Sequence, residues 1–75
     1  MENDWQNLIS INPDIRFGKP IITGTRICVS DILSCLSSGM SFEEIIEDFP
    51  ELNKEHILAA LNSAQLYLDG KYKRK

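Results

Sequence analysis

Apolar residues along this chain change period near residue 30, from short β-branched runs to helical spacing. Upstream, Leu8-Ile9-Ser10-Ile11, Ile15 to Phe17, Ile21-Ile22 and Ile27 to Val29 are predicted to be extended, and Asn12-Pro13-Asp14 is a turn signal between the first two. Pro20 fixes its own φ and pushes Lys19 out of the helical region, so the stretch from Phe17 is predicted to be extended or turned. Gly24, flanked by threonines, supplies the permissive backbone of a tight reversal. A two- or three-stranded sheet of this size must pack on helices or on a second copy.

Downstream, three helices are signalled. Ser30 is the predicted N-cap of the first, with Asp31 in its first turn, Ile32, Leu33 and Leu36 as its apolar stripe, and Gly39 at its end. Ser41-Phe42-Glu43-Glu44 is a capping box with Met40 and Ile45 at the staple positions, so a second helix starts almost at once. Phe42, Ile45, Ile46 and Phe49 line its inner face, Glu43, Glu44, Glu47 and Asp48 its outer one, and Pro50 stops it. Asn53 is the predicted cap of the third and longest helix, with Leu52 and Ile57 as staple. Ile57, Ala60, Leu61, Ala64 and Leu68 follow at helical spacing, and Gly70 is its predicted end. The fold class is therefore mainly α: a short N-terminal β-hairpin followed by a three-helix unit. Residues 1–70 are expected to form one domain and 71–75 a basic flexible tail.

Size and charge sharpen this picture. A chain of 75 residues buries only ~60% of its unfolded surface. Without metal or disulfide such chains often gain burial by self-association, so a homodimer is expected, with an exposed apolar patch as its mark. The two cysteines, Cys28 and Cys35, match no redox or metal spacing. They read as two small buried hydrophobes, or as one buried and one exposed thiol. The acidic start, Met1-Glu2-Asn3-Asp4, does not resemble a secretory signal, and no apolar run is long enough for a membrane span, which points to the cytoplasm. Net charge is −3, but the last five residues carry four positive charges, so residues 1–70 hold −7. An acidic body argues against indiscriminate coating of nucleic acid and leaves phosphate attraction to local patches or to the tail.

Candidate catalytic chemistry is sparse. His56, the only histidine, lies in the first turn of the third helix and reads as solvated or partly packed, with no second histidine to share a metal. Gly18-Lys19 is no phosphate loop, because Pro20 stands where Ser or Thr would meet magnesium. The expectation is a non-enzymatic domain without cofactor or metal. The second and third helices around Pro50-Glu51-Leu52 have the punctuation of a helix-turn-helix. In that reading Asn53, Lys54, Glu55, Ala59 and Asn62 face solvent and reach base edges or backbone, while Arg16, Lys19 and Arg26 on the hairpin contact phosphates like a wing. Each cation has an alternative: Arg26 would pair with Asp14 or Asp31, and Lys19 would keep a strand edge soluble. The basic tail would grip phosphate or order on an acidic protein.

Gly18-Lys19-Pro20-Ile21-Ile22-Thr23-Gly24-Thr25-Arg26-Ile27, then Val29, Asp31-Ile32-Leu33, Gly39-Met40-Ser41, Glu43-Glu44-Ile45 and Phe49-Pro50, resemble a bacterial and archaeal family of small uncharacterised proteins classed as VapB-like antitoxins. Its sequences typically read G-K-P-x-I-x-G-T-R-I-x-V, then G-M-S-x-E-E-I. The likeness spans roughly Ile9 to Leu68, and Cys28 departs from the usual proline. The resemblance implies a winged-helix-like, helix-turn-helix domain, usually dimeric, that represses its own operon at promoter DNA and neutralises a PIN-like ribonuclease toxin. The alternative is a dimeric protein-interaction module that does not bind DNA.

Overall fold

In the computed structural model, residues 5–73 are described, with side-chain surroundings through residue 69. A 3₁₀ turn, Trp5–Leu8, leads into β1, Ile9–Ser10. Strand β2, Ile21–Ile22, pairs antiparallel with β1, Ile9 opposite Ile22 and Ser10 opposite Ile21. Helices α1 (Val29–Ser37), α2 (Phe42–Asp48) and α3 (Lys54–Lys73) follow. The chain is thus mainly helical with a small N-terminal strand pair.

The reversal at Gly24 forms as its residues dictate. Gly24 has φ +85°, the Thr25 N–H donates to the Ile22 carbonyl at 3.0 Å, and Thr25 Oγ1 both donates to that carbonyl and accepts from the Ile27 N–H. This returns the chain along the other side of β2, where Ile21 bridges Cys28. Two upstream expectations change. Leu8 belongs to the 3₁₀ turn, so the first strand is only two residues long. Ile15 to Phe17 is not extended: Arg16, Phe17 and Gly18 take φ of +52°, +61° and +81°, a left-handed turn closed by Gly18 N–H to Ile15 C=O and Lys19 N–H to Arg16 C=O. β-Branched and aromatic content favours a strand only where a partner strand stands beside it, and the chain here has none.

The helix caps follow local chemistry. Ser41 Oγ accepts from the Glu44 N–H at 3.1 Å and Glu44 Oε1 from the Ser41 N–H at 2.8 Å, the predicted capping box. Asn53 Oδ1 accepts from the His56 N–H, and His56 Nδ1 accepts from the Asn53 N–H at 2.9 Å, so the histidine stands where a capping box has glutamate. The cap of α1 lies two residues before the predicted one. Cys28 is the N-cap and Asp31 the third helical residue, whose carboxylate accepts from the Cys28 N–H at 3.0 Å. The third helix runs past Gly70 to Lys73; a glycine lowers helix propensity but does not end a helix unless the chain turns there. Of the predicted tail, residues 74–75 lie outside the described residues.

Ile22, Ile27, Val29, Ile32, Ile45, Leu52, Ile57 and Ala60 form one buried cluster fed by the strands and all three helices. Both predicted staples contribute, Met40 and Ile45 before α2, Leu52 and Ile57 before α3. Cys28 is buried and Cys35 half-buried against the same cluster; both are free thiols. Because α3 is held mainly through Ile57 and the alanines beside it, Ile57→Ala should lower the unfolding free energy by about 2–5 kcal/mol. Urea denaturation followed by circular dichroism measures it, and a loss below about 1 kcal/mol would show that the cluster is not the core.

Candidate interaction surfaces

One end of the molecule is built around Asp31. Its Oδ2 accepts from the Cys28 N–H at 3.0 Å and from Arg16 Nη1 at 3.1 Å, and the same Nη1 donates to the Arg26 carbonyl at 2.8 Å. Arg16 therefore ties the left-handed turn to the start of α1 and to the strand leading into it. Asp31 takes the pairing anticipated for Arg26, but with Arg16. The side chains of Lys19 and Arg26 are exposed and have no hydrogen bond or ion pair among the described residues. Phe17, in the same left-handed turn as Arg16, stands 96% exposed.

The surface of α3 differs from a groove-reading helix. Ala59, expected to face solvent, is fully buried, because the Trp5–Leu8 turn lies over that side of the helix. Asn62 is half-buried in a cleft lined by Trp5, Asn7, Leu8, Glu55, Leu58 and Ala59. Asn53 is exposed, but its Oδ1 is committed to the cap. Lys54 is exposed at a shallow cleft against α2, lined by Phe42, Glu43 and Ile46. Of the eight residues expected to contact nucleic acid, Arg16, Lys19 and Arg26 are brought together at the hairpin end, and Glu55 and Ala59 line the Trp5 cleft. Asn53, Lys54 and Asn62 are distributed over the cap, the α2 side and the Trp5 side of α3.

What α3 does present is apolar. Leu58, Leu61, Leu66, Tyr67 and Leu68 are 37–63% exposed. On its other side, where α3 extends beyond the start of α1, Pro20, Val29, Leu33, Ala64, Tyr67 and Leu68 line an open groove of about 550 Å³ with Lys19, Ser30 and Ser63 at its edge. Sequence periodicity places Leu61 and Leu68 on the core side, yet both are exposed. Their exposure arises because α1 and α2 are 9 and 7 residues long against 20 for α3, and short helices cannot cover a long one. Helix length was readable in advance; the exposed Phe17 was not, since nothing local but Gly18 hints at a left-handed turn. No helix among the described residues is long and apolar enough to cross a membrane.

Fold and surfaces together define a small, mainly α-helical domain with a short antiparallel strand pair and exposed apolar side chains on its longest helix. Residues 9–64 match the model of the family described as Protein of unknown function (DUF433), and the chain belongs to that family. It is 34% identical over 55 residues to the Uncharacterized protein y4eO of Sinorhizobium fredii, a match covering 73% of this chain and 25% of that protein. The chain thus spans about a quarter of that relative's length. The crystal structure of a DUF433 member protein from Anabaena variabilis has the same fold, with a TM-score of 0.80 and 26% identity, over 92% of this chain and 68% of that one.

The shared Asp31 oxygen predicts a hierarchy among polar variants. Asp31→Ala removes the cap and the turn's anchor together and should cost about 1–2 kcal/mol. Arg16→Ala removes a partly exposed pair and should cost under about 1 kcal/mol. Thermal and urea unfolding of the two variants compares them, and equal losses would contradict the dual role of Asp31.

Proposed function

We propose that this is a non-enzymatic, antitoxin-like binding domain that docks a small ribonuclease-type toxin on the outer face of α3. The observation that carries the reading is the set of exposed leucines on α3, Leu58, Leu61 and Leu66, of which Leu58 and Leu66 line clefts with the half-buried Trp5. Exposed apolar side chains gathered on one element of a small domain mark a surface that another protein covers. Charge supports the type of partner: α2 directs Glu43, Glu44, Glu47 and Asp48 into solvent, and an acidic face complements the basic cleft by which a ribonuclease holds RNA. The likeness of residues 18–27 to the VapB-like pattern supports the same reading.

A second reading, operator binding by the same domain, is favoured by one observation: Lys19 and Arg26 are exposed and have no hydrogen bond or ion pair among the described residues. In that reading the hairpin end supplies the phosphate contacts and α3 does not enter a groove, since its exposed leading residues are Lys54, Glu55 and Leu58. This would give weak, strongly salt-dependent binding.

Co-purification with the product of the adjacent gene tests the first reading. Recovery of a complex by the wild-type chain, and its loss with Leu58→Glu/Leu61→Glu while the circular dichroism spectrum is kept, is the expected result. Failure to recover any complex with the wild type would remove the toxin-docking role. Titration against the chain's own promoter fragment at two salt concentrations tests the second. Binding that Lys19→Ala/Arg26→Ala weakens and salt suppresses supports it, and no retardation at low salt ends it.

A further inference from the structure

We propose that the chain forms a two-fold dimer in which Phe17 of each copy seats in the apolar groove between α1 and α3 of the other. Two unmet surfaces carry this. Phe17 stands 96% exposed on a turn whose two non-glycine residues hold positive φ. Such backbone is uncommon for arginine and phenylalanine and persists only where its surroundings fix it. Here they do so through Arg16, whose guanidinium is held by Asp31 and the Arg26 carbonyl. The backbone that carries the aromatic ring is therefore held in place, yet the ring gains almost no burial within its own chain.

The second surface is the groove lined by Pro20, Val29, Leu33, Ala64, Tyr67 and Leu68. It exists because Ser63 and Ala64 are too small to fill the space where α3 passes the start of α1. Its volume of about 550 Å³ is ample for a phenyl ring.

What identifies the occupant as a second copy is the closeness of knob and hole. Lys19 and Pro20 form one edge of the groove, so Phe17 is rooted two residues away, at most about 8 Å along the backbone. A projection beside a recess on one surface is self-complementary: one two-fold axis near Lys19 and Pro20 lets each copy give its ring and receive its mate's. Any other partner would have to bring both an aromatic-sized pocket and an apolar ridge at that spacing. Lys19 and Ser30 at the edge keep their polar groups in water, as the rim of an interface does. The dimer leaves the Leu58, Leu61 and Leu66 face open, and it does not rest on the toxin-docking reading.

Sedimentation equilibrium of the full chain tests the proposal. The wild type should dimerise, and Phe17→Asn should weaken the dimer about tenfold or more, as loss of a central aromatic anchor does. Because asparagine accepts left-handed backbone readily, the same variant should keep the fold, with unchanged circular dichroism. Leu68→Glu should weaken the dimer from the groove side. A second measurement uses Phe17→Cys and Leu68→Cys chains, each also carrying Cys35→Ser, oxidised alone and mixed. A disulfide-linked dimer joining the two different chains supports the pairing. A monomeric wild type, a Phe17→Asn chain that dimerises as strongly as wild type, or efficient cross-linking of Phe17→Cys to itself overturns it.

Discussion

A single carboxylate oxygen, Oδ2 of Asp31, ties the left-handed turn of the non-helical half to the start of the first helix. By accepting from the Cys28 N–H it starts α1, and by accepting from Arg16 Nη1 it holds a turn that lies 15 residues earlier in the chain. Strand pairing adds little by itself, since β1 and β2 are two residues each and pairs so short are not stable alone. Arg16 and Asp31 are about one-third exposed, 34% and 38%, so their attraction is screened and modest in energy. Its importance is directional. The bond fixes which way the left-handed turn faces, and with it the setting of Phe17 and Lys19.

The isoleucine-rich core explains why surface remains uncovered. Strands, loops and all three helices deliver one or two side chains each to a single cluster, which satisfies the inward faces of α1 and α2 but only the leading part of α3. Beyond Ala60 that helix has too few neighbours: the Trp5–Leu8 turn covers one side, α1 another, and the remainder is leucine and tyrosine in solvent. A 75-residue chain has a high ratio of surface to volume, and here the excess apolar surface is gathered on one element.

Element identity was legible where a local chemical signal coincided with period. Ser41 with Glu44, Asn53 at the start of α3, Gly24 with its threonines and the Pro50 stop all act as their residues indicate. What failed did so for tertiary reasons. Ser30 has the side chain of a cap, but Asp31 reaches back to Cys28 and starts the helix earlier. Gly70 resembles a terminator but has no turn to make. Ile15 to Phe17 has strand-like composition without a partner strand. Of the residues named for the candidate site, the sequence neighbours Arg16 and Lys19 and the more distant Arg26 share one end of the molecule. The outward direction assumed for Ala59 depended on Trp5–Leu8 not folding over α3, which no period along α3 can reveal.

The two exposed features differ in kind, and this bears on how the domain is used. Leucines on α3 follow from unequal helix lengths, and a longer neighbour, or a partner, would cover them without any change of backbone. Phe17 is different, because its exposure requires two non-glycine residues in left-handed backbone and a guanidinium held in place behind them. A turn that merely linked β1 to β2 would be served as well by glycine or asparagine at those positions, at lower conformational cost. Arginine is explained by its bonds to Asp31 and the Arg26 carbonyl. Phenylalanine has no counterpart to those bonds and is left 96% exposed, while an apolar groove begins two residues further along.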